Sequence, residues 1–85
     1  MRMKMQHTPN PNAMKFTAEH PIFSERVEIF KNSHTDSPLL KHLIELKGID
    51  SLFGYKDFLT ICKVPEAAWE NLLPLIENEF DHFQQ

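Results

Sequence analysis

Hydrophobic and polar residues alternate in three short segments of the first third of the chain. The alternation runs over residues 2–7, then over residues 14–17, and again over residues 26–29. A period of two is typical of a β-strand that buries one of its faces. Three strands are therefore predicted in this part of the chain, separated by segments that lack the pattern.

The segments between these strands carry turn residues. In Thr8-Pro9-Asn10-Pro11-Asn12 the prolines remove two amide donors and push the residues before them toward extended conformations, which excludes a helix. Asparagine side chains can bond nearby backbone groups, and the prolines lower the entropy that is lost on ordering. We expect a structured turn here and a loop over residues 19–21. The turn residues have either this structural role or a direct role in contacting a partner.

The middle of the chain has the signals of a short helix. Ser37 followed by Pro38 marks a start, because the hydroxyl can accept from an early amide and proline at the first helical position wastes no hydrogen bond. An apolar stripe follows. Lys47 and Gly48 mark the end, because glycine adopts the left-handed conformation at low cost. These signals predict a helix from Ser37 to Lys47.

The rest of the chain predicts a hairpin and a longer helix. Residues 49–53 and 58–64 flank the segment Gly54-Tyr55-Lys56-Asp57, which we expect to form the turn. A helix is predicted from Ala67 to Phe83 because apolar residues recur there at helical spacing. Pro74 lies inside it and removes a hydrogen bond, so a kink or a restart is expected. The apolar stripe comprises Trp69, Leu72, Leu73, Ile76, Phe80 and Phe83.

The order of these elements, which is strands, helix, hairpin, helix, predicts the fold class. Two amphipathic helices beside mainly antiparallel strands favour a two-layer α+β sandwich. We expect a sheet of about four to five strands with both helices on one face. The chain is short, so a single domain over residues 1–85 is expected.

Composition and charge narrow the classes of function. The chain has 85 residues, of which 41% are hydrophobic, and a net charge of −3 from nine basic and twelve acidic residues. This balance gives no overall field that would favour nucleic acid or an anionic membrane. No segment approaches the roughly 18 apolar residues of a membrane span, and the start of the chain lacks the apolar core of a signal peptide. The single cysteine fits a reducing compartment, so a cytoplasmic location is expected.

The residues that usually carry catalysis or metal binding are sparse in this sequence. Cys62 has no second cysteine, and the five histidines have no HxH or HxxxH spacing. Zinc and iron–sulfur sites usually need several thiolate or imidazole ligands. Two glycines are too few for a phosphate-binding loop. We therefore predict no catalytic residue, no metal site and no cofactor.

The strand alternation leaves one face of the predicted sheet outside the core. This face carries basic and uncharged polar residues, with a cysteine near its end. Its predicted members are Arg2, Lys4, Gln6, Lys15, Thr17, Arg26, Glu28, Thr60 and Cys62. The face is either a solvated sheet face, which antiparallel sheets commonly have, or a docking surface for an acidic partner.

Four segments have an unusual combination of motifs. They are the stretch from Thr8 to Phe16 (TPNPNAMKF), the helix start Ser37-Pro38-Leu39, the hairpin from Gly54 to Lys63, and the ending from Trp69 to Pro74 and beyond. Together they resemble the N-terminal domain of the Nfu/NifU iron–sulfur scaffold family over nearly the whole chain. The resemblance implies the fold and a place in iron–sulfur cluster assembly or delivery. The CxxC-bearing second domain that holds the cluster in full-length members is missing from this sequence.

The resemblance and the lack of ligands together predict a free-standing accessory module that binds an iron–sulfur assembly or recipient protein and is not an enzyme. The predicted partner-binding residues are Lys4, Thr8, Asn10, Asn12, Lys15, Thr60 and Cys62. Two alternatives stay open: transient binding of iron or another metal by Cys62 with a nearby histidine, or a peptide-binding adaptor unrelated to clusters. A monomer is expected.

Overall fold

Five strands and two helices make up the computed structural model, which describes residues 3–83. In chain order they are β1 (Met3–His7), β2 (Ala13–Ala18), β3 (Val27–Phe30), α1 (Pro38–Glu45), β4 (Ile49–Tyr55), β5 (Phe58–Lys63) and α2 (Trp69–His82). This order agrees with the one predicted from the sequence. Arg2, which the alternation assigned to the first strand, lies outside the described residues.

The strands form one antiparallel sheet in the order β1-β2-β5-β4-β3. β5 is therefore the central strand, and β1 and β3 are the two edges. The register pairs Met14 with Ile61 across β2 and β5, and Ile61 in turn with Leu52 of β4. These three apolar residues lie side by side on one face of the sheet and are buried.

Both helices pack on that same face. Alternate strand residues and the apolar faces of α1 and α2 form a single buried cluster. It consists of Met14, Phe16, Ile29, Leu39, Leu40, Leu43, Ile44, Ile49, Leu52, Leu59, Ile61, Leu72, Ile76 and Phe80. Full burial of each large side chain contributes about 1.5 to 3 kcal/mol. The predicted two-layer α+β sandwich is confirmed.

Helix α1 begins where the sequence predicted. The Ser37 hydroxyl accepts a hydrogen bond from the Leu40 amide (3.3 Å), and Pro38 occupies the first turn. The helix ends at Glu45, and Gly48 has a φ of +99°, in the left-handed region. The Lys31 ammonium donates to the Ile44 carbonyl (2.6 Å), which satisfies one of the carbonyls that every helix end leaves without a partner.

Helix α2 continues through Pro74 as one element, so of the two alternatives expected at this proline, a kink or a restart, the restart does not occur. Pro74 has no amide hydrogen to bond the carbonyl of Glu70. Both residues are exposed, so water can reach this part of the helix. The cost of the missing bond is therefore lower than it would be on the buried side. No helix within residues 3–83 is both long enough and apolar enough to cross a membrane.

The turn of the β4–β5 hairpin is shorter than the sequence predicted. Tyr55 pairs with Phe58, so only Lys56 and Asp57 connect the strands, and Gly54 belongs to β4. The reason is packing. The Phe23 ring lies over Gly54, with its Cζ only 2.5 Å from where a β-carbon would be. Glycine is therefore needed inside this strand rather than in the turn.

Candidate functional site

The sheet face turned away from the helices, here called the open face, contains most of the residues predicted to bind a partner. Strand pairing sets its side chains in two neighbouring rows. One row contains Gln6, Lys15, Thr60, Phe53 and Glu28, and the other contains Lys4, Thr17, Phe58 and Tyr55. The structure thus brings Lys4, Lys15 and Thr60 together across three strands.

Three aromatic side chains lie near the centre of the open face. The ring centroids of Phe53 and Phe58 are 5.9 Å apart, and those of Tyr55 and Phe58 are 6.4 Å apart. All three residues are half-buried. We call this group the aromatic platform. The platform was not predicted from the sequence, although Phe53 follows the core position Leu52 and Phe58 precedes the core position Leu59, so strand alternation could have placed both on this face.

Each ring of the aromatic platform carries a cation. The Lys15 ammonium is 4.7 Å from the Phe58 centroid, the Arg26 guanidinium carbon is 5.5 Å from that of Phe53, and the Lys56 ammonium is 5.2 Å from that of Tyr55. Such contacts are worth about 0.5 to 1 kcal/mol each at exposed sites. The open face therefore combines flat apolar area with positive charge, which suits contacts to a surface that has both apolar and acidic groups.

Cys62 lies at the end of the same face, paired with Ala13 on one side and Ser51 on the other. It is a free, half-buried thiol. Within residues 3–83 no group of three or more histidine, cysteine or acidic side chains is placed to hold a metal ion. The structure therefore gives Cys62 no set of partner ligands within the described part of the chain.

The turn between β1 and β2 uses its polar side chains internally. The Thr8 hydroxyl donates toward the carbonyls of Asn10 (2.9 Å) and Ala13 (3.0 Å), and it accepts from the Asn10 amide (3.1 Å). The Asn10 side-chain oxygen accepts from the Asn12 amide (2.9 Å). The turn adjoins the end of the open face at which Ala13 pairs with Cys62. These bonds fix its shape and support the structural role that the sequence suggested.

The same turn is tied to the start of α2. The ammonium of Lys63, a buried residue of β5, donates to the side-chain oxygen of Asn12 (2.9 Å), and the Trp69 indole donates to the Pro11 carbonyl (2.9 Å). Trp69 is half-buried and packs at the margin of the core, although the helical spacing had placed it in the buried stripe. Its indole N–H bonds the turn, so the side chain connects the core margin with the β1–β2 turn.

A second cluster lies between the helices. His42 of α1 and His82 of α2 stack with centroids 6.3 Å apart, and the Nδ1 of His42 is 3.2 Å from the Oε1 of Glu79. With Asn78 these residues line a pocket of about 360 Å³. Sequence spacing gave no sign of it, because the two histidines are on different helices. Within residues 3–83 neither this cluster nor any other group of three or more histidine, cysteine or acidic side chains is placed to hold a metal ion.

These features define a small two-layer α+β fold in which the helices leave one face of the sheet uncovered. The sequence profile of the family described as "Scaffold protein Nfu/NifU N terminal" matches residues 3–85. The chain therefore belongs to this family, as its motifs had suggested.

Two curated relatives are much longer than this chain. The human "NFU1 iron-sulfur cluster scaffold homolog, mitochondrial" is 36% identical over 75 residues, which are 86% of this chain and 30% of that protein. "Conserved virulence factor C" of Staphylococcus aureus (strain MRSA252) is 30% identical over 79 residues, which are 92% of this chain and 21% of that protein. The chain thus spans between a fifth and a third of the length of these relatives.

Two solved structures have the same fold and a similar length. The crystal structure of protein SAV1430 from Staphylococcus aureus superposes with a TM-score of 0.82 at 26% identity, covering 94% of this chain and 99% of that chain. The solution structure of SeR13 from Staphylococcus epidermidis superposes with a TM-score of 0.71 at 30% identity, covering 99% and 100%.

Proposed function

We propose that this chain is a non-catalytic interaction module of iron–sulfur cluster assembly or delivery, and that it binds a protein of that machinery through the open face. Membership of the scaffold family and the name of the human relative support the process. The observation that carries the binding mode is the aromatic platform with a cation over each ring.

The charge of the open face supports an acidic partner. Lys4 and Lys15 stand in its two rows, and Arg26 reaches over the platform, whereas Glu28 is the one acidic member of the rows. The chain as a whole has a net charge of −3. The face is thus positive on a molecule that is negative overall. Complementary charge at an interface raises the association rate and sets its orientation.

The aromatic platform supplies the apolar part of such an interface. Aromatic and arginine side chains are enriched among the residues that dominate binding energies. Thr60 lies between Lys15 and Phe53 in the same row, and Cys62 lies further along β5. We include both in the contact surface. Thr8, Asn10 and Asn12 border it through the shape of their turn.

In this proposal the cluster belongs to the partner. Iron–sulfur clusters are usually held by four protein ligands, mostly thiolates, and this chain contains one cysteine. The module would position a cluster-bearing or cluster-receiving protein without binding the cluster itself. An activity of this kind needs a specific surface and no reactive residue.

The first test is a charge reversal on the open face. Lys4→Glu with Lys15→Glu should weaken binding about tenfold or more, because two attractive contacts become repulsive. The measurement is calorimetric titration with a cluster-assembly protein recovered by affinity capture from the native cell. Circular dichroism confirms that the variant is folded.

A matched control makes this test specific. Lys41→Glu with Lys47→Glu changes the net charge by the same amount at exposed positions on and after α1, away from the open face. This control should bind like the unmodified chain. If both variants lose the same affinity for the partner, the loss is due to net charge and not to the open face. If the Lys4 and Lys15 variant binds as tightly as the unmodified chain, the open face is not the docking surface.

A further inference from the structure

The outer edge of β1 has no strand partner within residues 3–83. Two hydrogen bonds between the neighbouring segments of β2 and β5 are the starting point for deciding which backbone groups of β1 point outward. The Ala18 amide donates to the Asp57 carbonyl (2.7 Å), and the Lys63 amide donates to the Asn12 carbonyl (2.8 Å). The backbone groups of the even-numbered residues from 12 to 18 therefore point toward β5. Since successive residues of a strand point to opposite sides, Lys15 has its backbone groups directed toward β1.

The register between β1 and β2 shows which backbone groups of β1 point toward β2. Lys4 pairs with Thr17 and Gln6 with Lys15, so the amides and carbonyls of Lys4 and Gln6 bond to β2. The backbone groups of Met3, Met5 and His7 consequently face outward, away from the sheet. A row of unpaired amides and carbonyls is a template to which another strand can add.

The two sides of β1 differ in chemistry. Lys4 and Gln6 lie on the open face, and Lys4 is one row from Lys15. Met5 lies on the helix side beside Phe16, yet it is 44% exposed. The cover that α2 gives the sheet reaches Phe16, whose ring is 5.3 Å from that of Phe80. It does not bury Met5, so an added strand would remove apolar area from water here.

We infer that the edge of β1 takes up an extended segment of a partner protein as a further strand of the sheet, and that acidic residues alternate with apolar residues in this segment. Its apolar residues would extend the side of Met3 and Met5, and its acidic residues would lie beside Lys4 on the open face. The inference deepens the proposed function, on which it rests for the identity of the partner, and it places that partner's strand next to the open face.

Charge favours such a partner over a second copy of this chain. β1 and β2 carry Lys4 and Lys15 and contain no aspartate or glutamate. Antiparallel pairing of two β1 edges would place the lysines of both copies on one continuous sheet face, with no acidic residue in these strands to offset them. Like charges close together across strands are destabilising, whereas opposite charges stabilise.

The test uses a capped synthetic peptide, Glu-Val-Glu-Ile-Glu-Val, and amide hydrogen exchange followed by NMR on the whole chain. At saturating peptide, exchange at the amides of Met3, Met5 and His7 should slow by about tenfold or more, since these donors become bonded. The amides of Lys4 and Gln6 are already bonded to β2 and should change little. Unchanged exchange at all five positions, in a titration carried to millimolar peptide, would overturn the inference.

A substitution at the centre of the edge provides the second measurement. Met5→Pro removes an outward donor and no bond to β2, and proline is tolerated at strand edges in that orientation. It should lower peptide affinity about tenfold or more. Met5→Ala keeps the donor and is the matched control. Full peptide binding by folded Met5→Pro would overturn strand addition. If this variant does not fold, the peptide itself can be changed: N-methylation of its valines removes amide donors that would bond to β1. Binding of the N-methylated peptide as tight as that of the unmodified peptide would overturn the inference as well.

Three further outcomes distinguish a partner segment from a second copy at the β1 edge, and strand addition from the proposed function. If amide exchange at Met3, Met5 and His7 becomes slower as the protein concentration rises without peptide, the edge binds a second copy of the chain. That result overturns the inference. Equal binding of Lys-Val-Lys-Ile-Lys-Val overturns its charge preference. Peptide binding by a chain that captures no iron–sulfur protein supports strand addition while the proposed function fails.

Discussion

At the scale of single residues, a few contacts decide where loops meet the sheet. Phe23 and Ile22 donate their amides to the Lys56 carbonyl at 3.0 and 2.8 Å, which brings the loop before β3 to the tip of the β4–β5 hairpin. The Phe23 ring then covers Gly54. Lys56 itself has a φ of +54°, an uncommon conformation for a residue with a side chain. These residues hold the hairpin tip and loop in place together.

Gly54→Ala is expected to destabilise the domain by about 1 to 3 kcal/mol, because the new β-carbon would meet the Phe23 ring and force it to move. Its φ is not in the left-handed region, so the cost is one of space alone. The measurement is the free energy of unfolding in urea.

The double variant Gly54→Ala with Phe23→Ala tests that cause. If the ring is the obstacle, adding Gly54→Ala to Phe23→Ala should cost much less than adding it to the unmodified chain, with a coupling of about 1 kcal/mol or more. Additive effects would show that the ring is not what requires glycine at this position.

Sequence patterns could not place Gly54 because its reason lies elsewhere in the chain. A glycine in Gly54-Tyr55-Lys56-Asp57 is typical of a turn, and the reason for it here is the approach of Phe23, which is distant in sequence and leaves no room for a β-carbon. The Asn12 contact with Lys63 is a similar case, because it joins residues that no local pattern connects. By contrast, the cap at Ser37 depends on adjacent residues and was predicted correctly.

At the scale of elements, periodicity predicted all five strands and both helices, with errors at their ends. Alternation also predicted that Lys4, Lys15 and Thr60 share the open face, whereas their positions side by side depend on the strand order and register. It did not predict that His42 and Glu79 meet, because helix orientation depends on packing of the whole core. The candidate site was therefore predictable in its strand residues, whereas contacts between elements were not.

Pro74→Ala is expected to stabilise α2, because it restores an amide that can bond the Glu70 carbonyl and removes the poor helix propensity of proline. The gain should be about 1 to 2 kcal/mol, after allowing for the greater freedom that alanine gives the unfolded chain. The midpoint of urea unfolding is the measurement. Leu75→Ala, at an exposed neighbouring position, is the control and should change the midpoint little. A lower midpoint for Pro74→Ala would mean that the helix needs the geometry imposed by proline.

At the scale of the whole molecule, the chain places its two kinds of surface on opposite sides. The helices cover one face of the sheet with a continuous apolar core, and the other face keeps its cations and rings accessible. The turn between β1 and β2 joins the two layers, because Lys63 of β5 and Trp69 of α2 donate hydrogen bonds to it. A partner at the turn would therefore contact a segment that is hydrogen-bonded to both layers of the fold.

The isolated chain should retain no stoichiometric iron–sulfur cluster after anaerobic reconstitution with iron, sulfide and reductant. One thiol per chain cannot provide the usual four ligands, and a dimer would provide two. Iron and sulfide are measured after desalting, with and without glutathione as an external thiol. Cys62→Ser is the control. If iron and sulfide are retained and their absorption band disappears in Cys62→Ser, the protein binds metal through Cys62, and the proposal of an interaction module without a cluster is wrong.

The central position of β5 also determines when this protein can fold during its synthesis. β5 pairs with β2 and with β4, and these two strands do not pair with each other. Until residues 58–63 leave the ribosome, the strands can form only two separate ribbons, β1 with β2 and β3 with β4, and of these only the second has a helix, α1, packed on it. A two-stranded ribbon without such support is marginal in water. The last strand to be made thus completes the sheet, and a chain that stops before it would have two further open edges, those of β2 and β4, in addition to β1 and β3.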